Sequence, residues 1–169
     1  NMKVLVLGGA GYIGSVLTPY LKEKGDEVIV YDNYLYEVEK VGGKDICDIN
    51  SLIPAIQNAD AIVNLAAISN DPASDLLPER TWQVNYKANE TIVDLLKSSK
   101  KRVVFASSCS MYGSSEEELD ETSKLAPLTL YARTKMLSEE LYLHKDLDSV
   151  ILRLATVYGY SPKPRFDLV

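Results

Sequence analysis

The feature that most constrains this fold is a short apolar strand that runs directly into a glycine-rich turn and a helix. Residues 4–7 are Val, Leu, Val and Leu, glycines follow at positions 8, 11 and 14, and helical apolar spacing begins near Ser15. Gly8 permits a tight turn, Gly11 lets the backbone approach a pyrophosphate, and Gly14 lets helix and strand pack closely. The helix N terminus then faces the anion. The predicted phosphate-binding residues are Gly8, Gly11, Tyr12, Ile13 and Gly14.

A second apolar run, residues 28–31, ends in an acid at Asp32, about 20 residues past the glycines. An acid at this place accepts hydrogen bonds from both ribose hydroxyls of an adenosine and repels a 2′-phosphate. The pattern therefore predicts NAD rather than NADP, with Asp32 and the adjacent Asn33 at the ribose. The alternative is a surface acid that caps the loop after a strand, and the preceding glycines make it the weaker interpretation.

Composition predicts one α/β domain over residues 2–169, with Asn1 resembling the residue left by a cleaved tag. The chain is 46% hydrophobic, yet no apolar run approaches the length of a membrane span. A net charge of −6 provides no basic patch, so neither nucleic acid nor a membrane is a predicted partner. Cys47 and Cys109 lack metal-ligand spacing, so no metal is predicted, and a reducing cytoplasm is expected.

Strand-like and helix-like stretches alternate along the chain. The predicted strands are 3–7, 27–31, 61–65, 102–106 and 149–154, and the predicted helices are about 12–24, 76–98 and 130–145, with a shorter piece near 51–57. This alternation predicts a doubly wound parallel sheet of the Rossmann type, with helices on both faces and strand order 3-2-1-4-5-6. Residues 149–154 are the sixth strand in this order. Functional residues are expected at the carboxyl edge of the sheet.

Tyr131 and Lys135 lie four positions apart in a predicted helix and so share one face. A cation beside a phenol stabilises its phenolate and lowers its pKa from about 10. An exposed helix face would also explain the pair, but a buried strand that ends in Ser107 and Ser108 precedes it. A serine hydroxyl there can donate to a developing alkoxide or carbonyl oxygen. These residues predict proton transfer by Tyr131 together with hydride transfer to NAD.

Together these motifs resemble the extended short-chain dehydrogenase/reductases, and within them the NAD-dependent nucleotide-sugar epimerases and dehydratases. The resemblance runs from Lys3 to about Pro162. It is carried by Gly8-x-x-Gly11-x-x-Gly14, Asp32, Ser107-Ser108-x-x-Met111-Tyr112-Gly113 and Tyr131-x-x-x-Lys135. The resemblance implies that Ser108, Tyr131 and Lys135 are the catalytic residues, with Ser107 as a neighbour that assists.

The resemblance also implies further contacts with the cofactor. Asp45 and Ile46 resemble a pair that meets the adenine, and residues 64–67 resemble the turn after the fourth strand that lines the cofactor. Asn85 resembles an asparagine that steadies the active-site strand from the following helix. The additional predicted cofactor contacts are Asp45, Ile46, Leu65, Ala66, Ala67, Ser69, Asn85 and Ser107, together with Tyr131 and Lys135 from the catalytic set.

Departures from the family pattern favour one reaction over another. Sugar 4,6-dehydratases have an Asp-Glu pair after the catalytic hydroxyl residue, whereas this chain has Cys109 and Ser110, so dehydration is not expected. The resemblance then implies a 4-epimerase with tightly bound NAD, in which Tyr131 deprotonates the sugar 4-hydroxyl. Ser108, Tyr131 and Thr156 are the predicted contacts with a nucleotide-diphosphate sugar. Thr156 stands where epimerases often have Asn.

Two other functions stay open at this point. A keto-sugar reductase or dehydrogenase uses the same residues but releases NADH, and a non-catalytic NAD sensor or structural subunit keeps only the fold. The resemblance implies that relatives continue into a substrate lobe past the sixth strand. We therefore expect a chain truncated before that lobe, which binds NAD and turns over little substrate. A homodimer through helices 76–98 and 130–145 is also expected from the resemblance.

Overall fold

The computed structural model describes residues 1–34, 42–69, 71–163 and 165. Five parallel strands form one sheet in this part of the chain, in the order β2-β1-β3-β4-β5. The strands are β1 (Lys3–Leu7), β2 (Glu27–Tyr31), β3 (Ala61–Asn64), β4 (Arg102–Ser108) and β5 (Asp148–Leu154). The predicted doubly wound parallel sheet is thus confirmed. In the numbering of the predicted order 3-2-1-4-5-6, the observed strands are 2-1-4-5-6. The described residues include no strand at the place of predicted strand 3, at the edge beside β2.

Helices connect the strands. They are α1 (Gly14–Glu23), α2 (Ile49–Gln57), α3 (Asp71–Leu76), α4 (Pro78–Trp82), a π-helical turn (Gln83–Lys87), α5 (Ala88–Lys97), a 3-10 turn (Cys109–Tyr112) and α6 (Leu130–Tyr142). None of the helices in the described ranges is long and apolar enough to cross a membrane.

The prediction of one continuous helix over 76–98 was wrong. The backbone at Leu77 leaves the helical region, with φ −131° and ψ 62°, because a following proline disfavours helical geometry. Pro78 then starts α4, where its missing N–H costs nothing. A π-helical turn at Gln83–Lys87 interrupts the helix again before α5. Such turns occur often at functional sites.

The core lies around the central strands, because both faces of these strands are covered. Leu5, Ile62, Val103 and Phe105 are fully buried on β1, β3 and β4. Phe105 stacks on Tyr142 of α6 with 4.3 Å between ring centroids. Burying each such side chain stabilises the fold by about 1.5–3 kcal/mol. The packing fixes the carboxyl ends of the strands, where the candidate residues lie.

Candidate active site

Two of the three glycines are required by the packing of the turn after β1. Gly8 has φ +76°, and a Cβ there would lie 2.8 Å from the backbone nitrogen of Ala66. A Cβ at Gly14 would lie 2.6 Å from the carbonyl oxygen of Gly8. The close atoms belong to the backbone, so relieving either contact would require the backbone to shift. The turn therefore packs against the loop after β3 on one side and against its own helix on the other.

Gly11 is different, because the described residues leave room for a side chain there. A Cβ on Gly11 would meet the carbonyl oxygen of Gly8 at 3.4 Å, an ordinary contact, and the residue is exposed. The helix α1 begins three residues later, at Gly14, and no side chain caps its N terminus at Ile13. An open glycine face beside uncapped helical N–H groups fits the pyrophosphate of a dinucleotide.

Asp32 lies at the carboxyl end of β2, next to this turn. Its carboxylate accepts the backbone N–H of Ala10 at 3.0 Å and that of Tyr34 at 2.9 Å. The side chain therefore ties the end of β2 to the glycine-rich turn, a contact that sequence reasoning did not anticipate. Asn33 follows it on the surface.

Asp45 is held by a residue that the sequence analysis missed. Its carboxylate forms an ion pair with Arg80 of α4 and accepts the N–H of Cys47 at 2.9 Å. Burial raises the pKa of Asp45, but the Cys47 N–H and the Arg80 guanidinium outweigh that effect and hold the pKa below its ordinary value. The neighbouring Ile46 is buried in the core. Because Arg80 is 35 positions from Asp45, no local pattern could reveal this pair.

Two asparagines shape the loop that follows β3. The Asn64 side chain accepts the N–H of Ala66 at 3.1 Å. Asn85, in the π-helical turn, accepts the N–H of Ile68 at 2.8 Å and donates to its carbonyl oxygen at 3.1 Å. Asn85 is 1% exposed and holds this loop rather than β4. The residues positioned in this way include the predicted contacts Leu65, Ala66, Ala67 and Ser69.

A buried hydrogen-bond network connects Asn64 and Asn85, the two residues that hold this loop. Asn64 donates to Asn89 Oδ1 at 2.8 Å, and the Tyr142 hydroxyl donates to the same oxygen at 2.7 Å. Asn89 in turn donates to the carbonyl oxygen of Asn85 at 2.8 Å. Burial raises the pKa of the Tyr142 phenol well above its ordinary value. The spacing of Asn85 and Asn89, four apart on one helix face, was the available sequence signal for this network.

The predicted pair on α6 is assembled at the carboxyl edge of β4. The Thr129 hydroxyl caps α6 by accepting the N–H of Ala132, which places Tyr131 in the first turn. Lys135 is buried, and its Nζ donates to the carbonyl oxygen of Ala106 at 2.8 Å. The same Nζ lies 6.0 Å from the centroid of the Tyr131 ring. Burial lowers the pKa of Lys135 to about 8.

The two serines at the end of β4 have different partners. Ser108 accepts the N–H of Ser110 at 3.1 Å and so caps the 3-10 turn, and its hydroxyl keeps a proton to donate. Ser107 donates its hydroxyl to Glu139 of α6 at 2.8 Å. Sequence reasoning missed Glu139, although it lies four positions after Lys135 on the same helix face.

The remaining candidates lie just past the ends of β4 and β5. Thr156 is exposed, two residues after β5. The thiol of Cys109 donates to the carbonyl oxygen of Arg153 at 3.1 Å. Within the described residues no group of three or more His, Cys, Asp or Glu side chains is arranged to hold a metal ion.

The sheet, the glycine-rich turn and the acid after β2 define the class of dinucleotide-binding α/β proteins with a Rossmann fold. Residues 4–168 match the model of the NAD dependent epimerase/dehydratase family, and the chain belongs to that family. The family resemblance predicted from the motifs is thus confirmed. The family description also names the cofactor that Asp32 predicts.

Individual proteins and structures that resemble this chain have names consistent with this family. The chain is 34% identical to a UDP-glucose 4-epimerase of Rhizobium meliloti (strain 1021), over 94% of this chain and 53% of that protein. It is 29% identical to a UDP-N-acetyl-alpha-D-glucosaminuronate decarboxylase of Bacillus cytotoxicus, over 95% and 56%. A structure of MoeE5 in complex with UDP-glucose and NAD superposes with a TM-score of 0.82 at 29% identity, over 98% of this chain and 57% of the other. The chain spans about half the length of the curated relatives it matches.

Proposed function

We propose that this chain is the cofactor-binding part of an NAD-dependent nucleotide-sugar epimerase that acts at C4 of the sugar. The observation that carries the proposal is the placement of Tyr131 beside the buried Lys135, next to the hydroxyl-bearing end of β4. Relatives named UDP-glucose 4-epimerase support the choice of reaction. A neighbour in complex with UDP-glucose and NAD supports the choice of ligands.

The proposed NAD site follows the carboxyl edge of the sheet. The turn from Gly8 to Gly14 and the N terminus of α1 would hold the pyrophosphate, and Asp32 the adenosine ribose. Asp45 and Ile46 would lie at the adenine. The loop fixed by Asn64 and Asn85 would line the remaining face, with Leu65, Ala66, Ala67 and Ser69.

The chemistry of the proposed reaction is divided among three side chains. Tyr131 takes the proton of the sugar 4-hydroxyl and later returns it, while the cation of Lys135 stabilises its phenolate. With a pKa of about 8, Lys135 still carries its charge for most of the time at pH 7. Ser108 donates a hydrogen bond to the same sugar oxygen. Bound NAD would supply the hydride chemistry, which these side chains cannot provide themselves.

The proposed substrate is a nucleotide-diphosphate sugar, contacted by Ser108, Tyr131 and Thr156. Elimination of water is not proposed, because the thiol of Cys109 and the hydroxyl of Ser110 replace the acid and base that dehydratases use. A cytoplasmic location stays a prediction, as does a homodimer through residues 76–98 and 130–145.

Replacing the phenol tests the proposed reaction. The full-length enzyme, of which this chain is proposed to be the cofactor-binding part, is incubated with UDP- and dTDP-hexoses without added cofactor, and C4 epimers are separated by chromatography. We expect turnover by the wild type, and we expect Tyr131→Phe to lower the turnover at least 100-fold, as removal of a general base does, while the variant still binds NAD. Tyr20→Phe is the control, since Tyr20 is 54% exposed on α1.

Other outcomes separate the alternatives. When NAD is added, accumulation of NADH in proportion to product would indicate a dehydrogenase rather than an epimerase. Absence of turnover by the full-length enzyme across the panel, with NAD bound, would contradict the epimerase proposal and favour a sensor or structural subunit.

A further inference from the structure

Glu139 is a buried carboxylate that the proposed chemistry does not use. It is 5% exposed and lies on α6, four positions after Lys135 and eight after Tyr131, so the three side chains follow one helix face. Its Oε2 accepts the Ser107 hydroxyl at 2.8 Å. Its Oε1 accepts the Nε of Arg153, from β5, at 3.0 Å and the Nη2 of Arg153 at 2.6 Å.

Arg153 forms an ion pair with the Glu139 carboxylate and holds it in place. A buried carboxylate is costly unless it is paired and hydrogen-bonded, and the guanidinium fork supplies both conditions. The hydrogen bond to Glu139 raises the pKa of Arg153 well above its ordinary value. Arg153 also donates to the Tyr112 hydroxyl at 2.7 Å and to the carbonyl oxygen of Glu121 at 3.1 Å. Arg153 Nε also lies 3.1 Å from Oε2, the oxygen that accepts Ser107, so an anchored guanidinium holds that oxygen in place.

Among the described residues, hydrogen bonds join α6 to the end of β4. One runs from Lys135 Nζ to the carbonyl oxygen of Ala106, and another from Ser107 to Glu139. The helix carries Tyr131, and the strand ends in Ser108. The bond between Ser107 and Glu139 is therefore made immediately beside the residue whose hydroxyl must meet the sugar oxygen.

We propose that Glu139 is a positioning residue, which acts through its hydrogen bond to Ser107 to hold the Ser108 hydroxyl in register with the Tyr131 phenol. This inference rests on the proposed function. Groups that act on one oxygen atom must be held to within about 0.5 Å, so a loosened strand end lowers turnover even when all reacting groups are present. The Ser107 hydroxyl has this effect without touching the sugar.

The test uses Ser107→Ala in the full-length enzyme. This change removes the tether, which is the hydrogen bond from Ser107 to Glu139, but keeps the ion pair between Glu139 and Arg153, so that the fold is retained. We expect kcat to fall about 10- to 100-fold, while KM for the nucleotide sugar stays within about twofold. Ser107→Thr restores the hydroxyl and should restore kcat. In a Glu139→Gln background, Ser107→Ala should have little additional effect, because residues that act through one contact are not additive.

A matched control lies at the opposite end of the same two strands. Arg102 of β4 and Asp148 of β5 form a two-pronged ion pair at 2.9 and 3.0 Å, and both are exposed. Asp148→Asn removes a contact between strand ends that is far from the serines along β4. We expect kcat to be unchanged in this variant.

A second readout does not depend on activity. The N–H of Ser110 is bonded to Ser108 Oγ, so its amide NMR signal reports where that hydroxyl lies. We expect the signal to shift, and its hydrogen exchange to accelerate, in Ser107→Ala but not in Ser107→Thr or Asp148→Asn. An unchanged Ser110 amide would overturn the inference, as would a loss confined to KM for the nucleotide sugar. If the wild type turns over no sugar, the proposed function fails, and the Ser110 amide still decides whether the tether exists.

Discussion

At the scale of single residues, the sequence predicted which side chains meet but not what holds them. The spacing of Tyr131 and Lys135 predicted one helix face, and the structure brings the two side chains together. The partners of these residues, such as Glu139 and Ala106, depend on how α6 packs on the sheet. Long-range packing of this kind leaves no periodic signal in a single sequence. The roles of the residues in catalysis stay predictions.

The buried Lys135 predicts a pH dependence of stability with a definite sign. Burial lowers the pKa of Lys135 from its ordinary value to about 8 in the folded protein. Between pH 8 and the unfolded pKa of about 10.4, the unfolded chain therefore binds more protons, so stability rises with pH. Below pH 8 both states are protonated, and the contribution is constant. The full change corresponds to about 3 kcal/mol.

Urea denaturation of the wild type and of Lys135→Met, at pH values from 7 to 10.5, measures this contribution. Subtracting the two curves cancels the groups that they share. We expect the stability of the wild type, relative to the variant, to increase from pH 8 upward. A relative decrease over that range would mean that a neighbouring anion raises the pKa of Lys135, contrary to the burial described above.

At the scale of the elements, sequence reasoning placed the strands well and failed at the long helical region. β1, β2 and β4 begin where their apolar runs predicted, because the strands of a parallel sheet are near-continuous apolar runs. The region over 76–98 has apolar helical spacing throughout, but the restriction imposed by Pro78 breaks it locally. Asn85, in the π-helical turn, accepts the N–H of Ile68, and no local sequence signal predicted either the turn or this contact.

Alanine substitutions at two glycines of the turn are expected to affect different quantities, stability at Gly14 and NAD affinity at Gly11. Gly14→Ala places a Cβ 2.6 Å from backbone atoms and should destabilise the fold by about 1–3 kcal/mol or more. Gly11→Ala meets no close backbone atom and should leave stability within about 0.5 kcal/mol. The same Cβ would occupy the space of the proposed pyrophosphate, so NAD affinity should fall at least tenfold.

Thermal unfolding and NAD titration of both variants give the two quantities separately. Wild-type NAD affinity in Gly11→Ala would contradict the proposed position of the pyrophosphate. A large loss of stability in that variant would instead show that the packing of the turn requires this glycine too.

At the scale of the whole molecule, the chain returns to the glycine-rich turn after β5. The Tyr12 hydroxyl donates to the carbonyl oxygen of Gly159 at 2.6 Å, and the Ser161 hydroxyl donates to the carbonyl oxygen of Tyr12 at 2.8 Å. These contacts join positions about 150 residues apart and were not predictable from local pattern. They bring the segment after β5 to the proposed phosphate site. The predicted sheet and family are confirmed at this scale, whereas the reaction remains a proposal.

Titration of the chain with NAD and with NADP tests the central claim most directly, since the claim is that the carboxyl edge of the sheet holds NAD against Tyr131. Because Asp32 is proposed to lie at the adenosine ribose, where it would repel a 2′-phosphate, we expect saturable binding of NAD and at least tenfold weaker binding of NADP. Asp32→Asn removes the negative charge and should narrow this difference. Equal affinity for the two dinucleotides, or no binding of either, would contradict the assignment of this edge as an NAD site.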